Sequence, residues 1–179
     1  MVDTPSRQRM IGRMIYLGLV LATLILQFVP LSAVPSRWAP PDLMLALTLA
    51  WIIRRPEFVP VALVAALYLV TDFLLHRPPG LAAAFVVLLT ELLRSRVAAI
   101  RNMPFALEWL MIAFGIVAIT FAQRVALAIV LVDQNPLNLV LIQMVMTILS
   151  YPLVAFASHI IFGVSRPARG EVNTHGKRI

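Results

Sequence analysis

Cysteine does not occur in this sequence. No disulfide can brace the fold and no thiolate can hold a metal, so the redox compartment leaves no trace here. Charge is scarce as well. Only 13% of the 179 residues are Asp, Glu, Lys or Arg, where a soluble domain carries roughly 25%. Water cannot be the main solvent of such a surface. Histidine is limited to His76, His159 and His175, with no H-E-x-x-H pattern to hold a hydrolytic metal. No glycine-rich phosphate loop occurs either. Ser150 and His159 are nine residues apart in the last apolar run. At about 100° per residue they fall on opposite faces of a helix and form no local dyad. His159, close to the end of that run, reads as a hydrogen-bonded packing residue. The chain reads as a non-enzyme that needs no cofactor.

What is present is apolar. Hydrophobic residues make up 61% of the chain and the mean hydropathy is +0.92. Apolar runs fall at 14–34, 42–53, 58–75, 80–93, 105–132 and 137–163. A helix needs about 20 residues to cross roughly 30 Å of hydrocarbon. The first, third, fifth and sixth runs meet that length, the third barely. The second and fourth are short. They either cross a locally thinned bilayer with flanking arginines snorkelling outward, or are re-entrant and buried against protein. The first run reads as a span and not as a cleaved leader, because no A-x-A site follows it.

Charge orients the runs. Arg7, Arg9, Arg13, Arg54, Arg55, Arg94, Arg96, Arg101, Arg166, Arg169, Lys177 and Arg178 fall on one side of a six-span layout, twelve in all. Only Arg37 and Arg77 fall on the other, and Arg124 lies within a run. Twelve against two is a positive-inside pattern with both termini cytoplasmic. A four-span layout gives eleven against three, so charge fixes the ends more firmly than the short hairpins. The expectation is an all-α polytopic membrane protein, a six-helix transmembrane bundle over residues 1–165 with a basic tail at 166–179. The net charge of +7 then belongs to membrane topology and not to nucleic acid.

Punctuation fits this layout. Pro40 and Pro41 introduce the second run and place Asp42 in its first turn, where the helix dipole favours a carboxylate. Pro56, Pro78, Pro79, Pro104 and Pro136 mark turns. Trp38, Trp51, Phe58 and Trp109 fall near run ends, as interfacial anchors do. Gly18 and Ala22, Ala46 and Ala50, and Ala62 and Ala66 recur at spacing four, which suits close helix packing within one bundle.

The ionisable residues in or beside the runs are Asp42, Asp72, Glu91, Glu108 and Arg124. Glu91 and Glu108 are expected to partner the Arg94, Arg96 and Arg101 cluster. Asp42, Asp72 and Arg124 fall toward the outer side. A buried carboxylate there needs a partner. Arg124 is the expected one for Asp72, and the freed backbone amides of the following turn are the alternative. Gln27, Gln123, Gln143 and Asn138, the few polar groups that a ligand cavity could use, are scattered along the chain.

Three stretches carry a resemblance. One is "PPDLMLALTLAWIIRRP", residues 40–56; the second is Asp72 followed by Pro78, Gly80 and Leu81; the third is "LSYPLVAF", a proline within the last run. With these, the chain resembles the MreD family of rod shape-determining membrane proteins. His76 and Arg77 stand where that family often has small polar residues. The resemblance implies a non-enzymatic component of the bacterial cytoplasmic (inner) membrane. It also implies MreC as direct partner, with MreB, RodA and the elongation transpeptidase in a larger complex that supports lateral peptidoglycan synthesis and rod shape. The implied fold is similar to the substrate-binding membrane components of energy-coupling-factor transporters. The implied structural or partner-binding positions are Pro41, Asp42, Asp72, Pro78 and Gly80, with Arg124 added from its depth. The other expectation is a small-molecule-binding membrane subunit of a transporter.

Overall fold

A computed structural model describes residues 4–28, 39–100, 102–132 and 134–162. Arg37, Trp38, Arg101, the end of the first apolar run and the 166–179 tail lie outside the described residues. Six helices follow one another: α1 (Thr4–Phe28), α2 (Leu43–Arg54), α3 (Val61–Leu74), α4 (Leu81–Ile100), α5 (Phe105–Ile129) and α6 (Leu137–Phe162). A 3-10 turn, Pro56–Phe58, joins α2 to α3. Among the described residues there is no strand.

Several helices outrun the apolar runs that announced them. α1 begins ten residues before position 14, through Arg7, Arg9 and Arg13. α4 continues past Leu93 through Arg94, Ser95 and Arg96 to Ile100. Arginine is a good helix former, so a charge ends the apolar run without ending the helix. At 1.5 Å per residue, the 20 residues of α4 reach about 30 Å. Among the described residues, three helices are both long and apolar enough to cross a membrane: Ser6–Gln27, Phe105–Ile129 and Leu137–Ile160.

The short α2 is the centre of the molecule. Every residue from Met44 to Arg54 is buried. It packs on α1, α4, α6 and the 3-10 turn. A helix enclosed by protein on all faces need not match the thickness of a bilayer, so the thinning that its length suggested is not required. The other helices point large apolar side chains outward. Phe114 and Ile129 are each 76% exposed, and Leu88, Phe156 and Leu153 are likewise open. In water such a surface would aggregate; in lipid it is the expected exterior.

Close approaches need small residues at two places. A Cβ on Gly12 would lie 2.6 Å from the Phe58 ring, and one on Gly115 would lie 2.9 Å from Leu89 Cδ1. Of the three spaced small pairs, only Ala46 and Ala50 are buried in the bundle. Gly18, Ala22, Ala62 and Ala66 face outward. Trp51 is no interfacial anchor. It lies wholly in the core, its Nε1 donating to Ser158 Oγ at 3.1 Å. Tyr16 and Phe58 pack around it. His159, expected as a packing residue, is exposed.

Pro152 interrupts the hydrogen bonding of α6. Having no N–H, it cannot donate to the carbonyl four residues earlier, that of Ile148. Trp109 Nε1 donates to this carbonyl at 3.0 Å, from α5. The expected cost of Trp109→Phe is about 1 kcal/mol, because a part-buried carbonyl loses its donor. Pro152→Ala in the same chain should recover part of the loss, since alanine restores the amide. Thermal unfolding in detergent checks both.

Candidate functional site

The register of α2 against α6 creates the main cavity. The Asp42 amide donates to Thr147 Oγ1 at 2.9 Å, and Thr147 donates to the Gln143 carbonyl at 2.7 Å. Trp51, nine residues on, meets Ser158. The two helices therefore run parallel, with the start of α2 level with Thr147. α6 begins ten residues earlier, at Leu137, and so extends about 15 Å beyond the start of α2. α5 supplies Gln123 and Arg124 to the same region. The space above the first turn of α2 is a cavity of about 440 Å³, within the usual range for a ligand site.

Asp42 forms the floor. It is the N-cap of α2 and not a residue of its first turn: Oδ1 accepts from Leu45 N at 2.9 Å. Pro41 sets up this cap through its carbonyl, which accepts from Leu43 N at 3.0 Å. Gln123, Gln143, Gln134 and Asn135 line the walls together with Thr120 and Thr147. Gln123 and Gln143, scattered in the sequence, thus meet in one place. Gln27 and Asn138 do not line it. Arg77 and Arg124 are its two cations. Tyr68 also lines it, 4% exposed, with a hydroxyl that makes no hydrogen bond. The nearby Thr48 hydroxyl is already bonded to the Met44 carbonyl and to Tyr16.

Asp72 answers to backbone and not to arginine. It is 0% exposed, and its Oδ2 accepts from Gly80 N at 3.0 Å and Ala83 N at 3.3 Å. These are amides at the start of α4, which have no partner within their helix. Asp72 thus caps α4 from the end of α3, and fixes the turn between them. The turn needs unusual backbone at two points: His76 has φ +53° and Gly80 φ +85°. Glycine tolerates that geometry without strain. Pro78 closes the turn, its carbonyl accepting from Leu81 N at 3.2 Å.

The expected Asp72–Arg124 pair is therefore absent. Arg124 Nη1 donates to the Asn135 carbonyl at 3.1 Å, and the Arg124 carbonyl accepts from Gln134 Nε2 at 3.1 Å. Arg124 belongs to the α5–α6 corner. Its side chain folds over that corner, while Asp72 is enclosed and takes amides of the α3–α4 turn. Among the described residues Arg124 forms no ion pair. Arg77, on the turn itself, is the guanidinium within electrostatic reach of both Asp42 and Asp72.

A second polar cluster lies at the opposite end of α2. Arg54 Nη1 meets Glu108 Oε1 at 3.1 Å, and Tyr151 donates to the same oxygen at 2.7 Å. Glu108 is 0% exposed. Arg54 also donates to the Ala50 carbonyl at 3.2 Å, and Phe105 stacks on Tyr151. The first turn of α5 thus turns its carboxylate inward to Arg54; of the cluster with which it was expected to pair, Arg101 lies outside the described residues. Glu91 does pair with Arg94, at 2.8 Å. Arg94 also reaches the carbonyls of Pro56 and Val59, which ties the 3-10 turn to α4. The Arg54–Glu108–Tyr151 cluster was missed in the sequence because Arg54 reads as one of two loop charges. Its spacing from Trp51, three residues on one helix face, is the signal that places it toward α6.

Among the described residues no group of three metal-ligating side chains forms. No protein-family model matches the chain, and neither a curated protein nor a solved structure matches it.

The two arginines separate by experiment. Arg54→Ala takes the guanidinium away from the buried Glu108 carboxylate and should cost about 3–5 kcal/mol. Arg124→Ala breaks a half-exposed contact and should cost no more than about 1 kcal/mol. Asp72→Ala should cost about 1–3 kcal/mol by orphaning two amides, with Asp72→Asn milder because one acceptor remains. Unfolding midpoints in one detergent rank the four variants.

Proposed function

We propose that the chain is a non-enzymatic integral component of a bacterial cell-elongation complex, resembling MreD, with both termini cytoplasmic and six helices crossing the inner membrane. In this reading the Arg54 end faces the cytoplasm and the Asp42 end faces outward. The observation that carries it is the meeting of the two motif segments. Pro41 and Asp42 start α2, and Asp72, Pro78 and Gly80 build the α3–α4 turn. Both aspartates sit within reach of Arg77, at one end of the bundle. Thirty residues apart in sequence, they serve one outward-facing feature, which a membrane partner such as MreC can read.

The fold supports a scaffold in a second way. Several of its polar side chains are spent on structure: Asp42 and Asp72 cap helices, Glu108 holds Arg54, and Trp109 covers the gap left by Pro152. The alternative, a small-molecule-binding transporter subunit similar in fold to the energy-coupling-factor components, has the 440 Å³ cavity in its favour.

Depletion in the rod-shaped native host distinguishes the two. The scaffold reading predicts rounded cells and co-purification of MreC in mild detergent. Retention of rod shape, with lost uptake of a small nutrient, would instead establish the transporter reading.

A further inference from the structure

The cavity above α2 contains groups that the fold itself does not use. The Tyr68 hydroxyl lies buried in its wall without a hydrogen bond. A buried hydroxyl without a partner is costly, and in native proteins such a group calls for an explanation. The side-chain amides of Gln123 and Gln143 also make no hydrogen bond among the described residues, although both line the cavity. Arg124 uses one of its five donors on the Asn135 carbonyl. An arginine within an apolar helix that faces a cavity is a candidate for ligand contact.

The electrostatics favour an anion. Arg77 and Arg124 outnumber Asp42 among the charged residues lining the space. The start of α2 points into it, and a helix start carries partial positive charge. Asp42 offsets part of that charge by capping Leu45. A single anionic group can take the remaining donors of Arg124 and accept from Tyr68, while the two glutamines bind hydroxyls beside it.

We infer that this cavity binds a phosphate ester bearing further hydroxyl groups, held by Arg124, Arg77 and Tyr68 and oriented by Gln123 and Gln143. Phosphate matches the planar fork of arginine. The ester comes from one of two sources, a soluble metabolite entering from the open end or a phospholipid headgroup entering from the side. Arg124 also borders a shallow depression with Val125 and Ala128 on the outer side of α5, which gives the second route an entrance. The inference holds whichever partner the protein has, and its test needs no partner.

The test uses the full chain, purified in detergent and stripped of lipid, with thermal unfolding as readout. Glycerol 1-phosphate is titrated in one arm, and phosphatidylglycerol in mixed micelles in the other. Sulfate at equal ionic strength and phosphatidylcholine are the respective controls. A saturable rise in Tm is expected in at least one arm, since a ligand bound only by the folded state stabilises it. Arg124→Gln should raise the apparent Kd about tenfold by removing a charge-assisted contact. Tyr68→Phe should weaken binding severalfold, read as a raised apparent Kd with the Tm rise taken from that variant's own ligand-free value. A rise with glycerol 1-phosphate identifies a soluble ester, and a rise with phosphatidylglycerol alone identifies a headgroup. No rise in either arm, a rise matched by the controls, or an unchanged Kd in both variants overturns the inference.

Discussion

The rest of the structure depends on the complete enclosure of α2. Twelve residues give it about 18 Å of length, too little to cross a bilayer alone. Enclosure removes that requirement and substitutes another: both polar ends of a buried helix must be satisfied by protein. Asp42 caps one end, and at the other Arg54, held by Glu108, donates to the Ala50 carbonyl. The helices that supply these partners are thereby fixed in register. Thr147 and Ser158 set the depth of α6, and Tyr16, through Thr48, sets that of α1.

The cavity follows from the same constraint. A short central helix beside a 26-residue neighbour leaves space above its start. Polar side chains from α5 and α6 project into that space, and the α3–α4 turn closes its side. The turn stays rigid because Asp72 spends its carboxylate on the amides of α4. Structure and site are thus one arrangement, in which Asp42, Pro78 and Thr147 both hold the fold and line the cavity.

Much of this was legible in the sequence. Low charge and six apolar runs announced an all-helical chain with a lipid-facing surface, and Pro40, Pro41 and Asp42 announced the start of α2. Asp72 was visible as a buried carboxylate that needed partners. The freed amides of the following turn stood beside Arg124 as the two alternatives, and the amides of Gly80 and Ala83 are the ones it takes. The sequence could not choose between them, because every residue but proline carries a backbone amide and no side-chain pattern reveals which one is used. Helix ends were blurred where arginines sit within a helix, as in α4. The meeting of Gln123 and Gln143 depended on the depth of α6 relative to α2, a tertiary register with no local signature. The Ile148 carbonyl is a different case: Pro152 advertises an unsatisfied acceptor, and only the donor, Trp109, had to be found.

The measurement that bears most directly on the proposed six-span arrangement uses the absence of cysteine. Single cysteines at positions 55 and 79 mark the two ends of the bundle, one beside Arg54 and the other in the α3–α4 turn. In intact cells a membrane-impermeant maleimide should label position 79 and not position 55, with position 55 labelled only after the membrane is opened. Labelling of position 55 from outside would contradict the account, since the start and end of α2 would no longer face opposite sides.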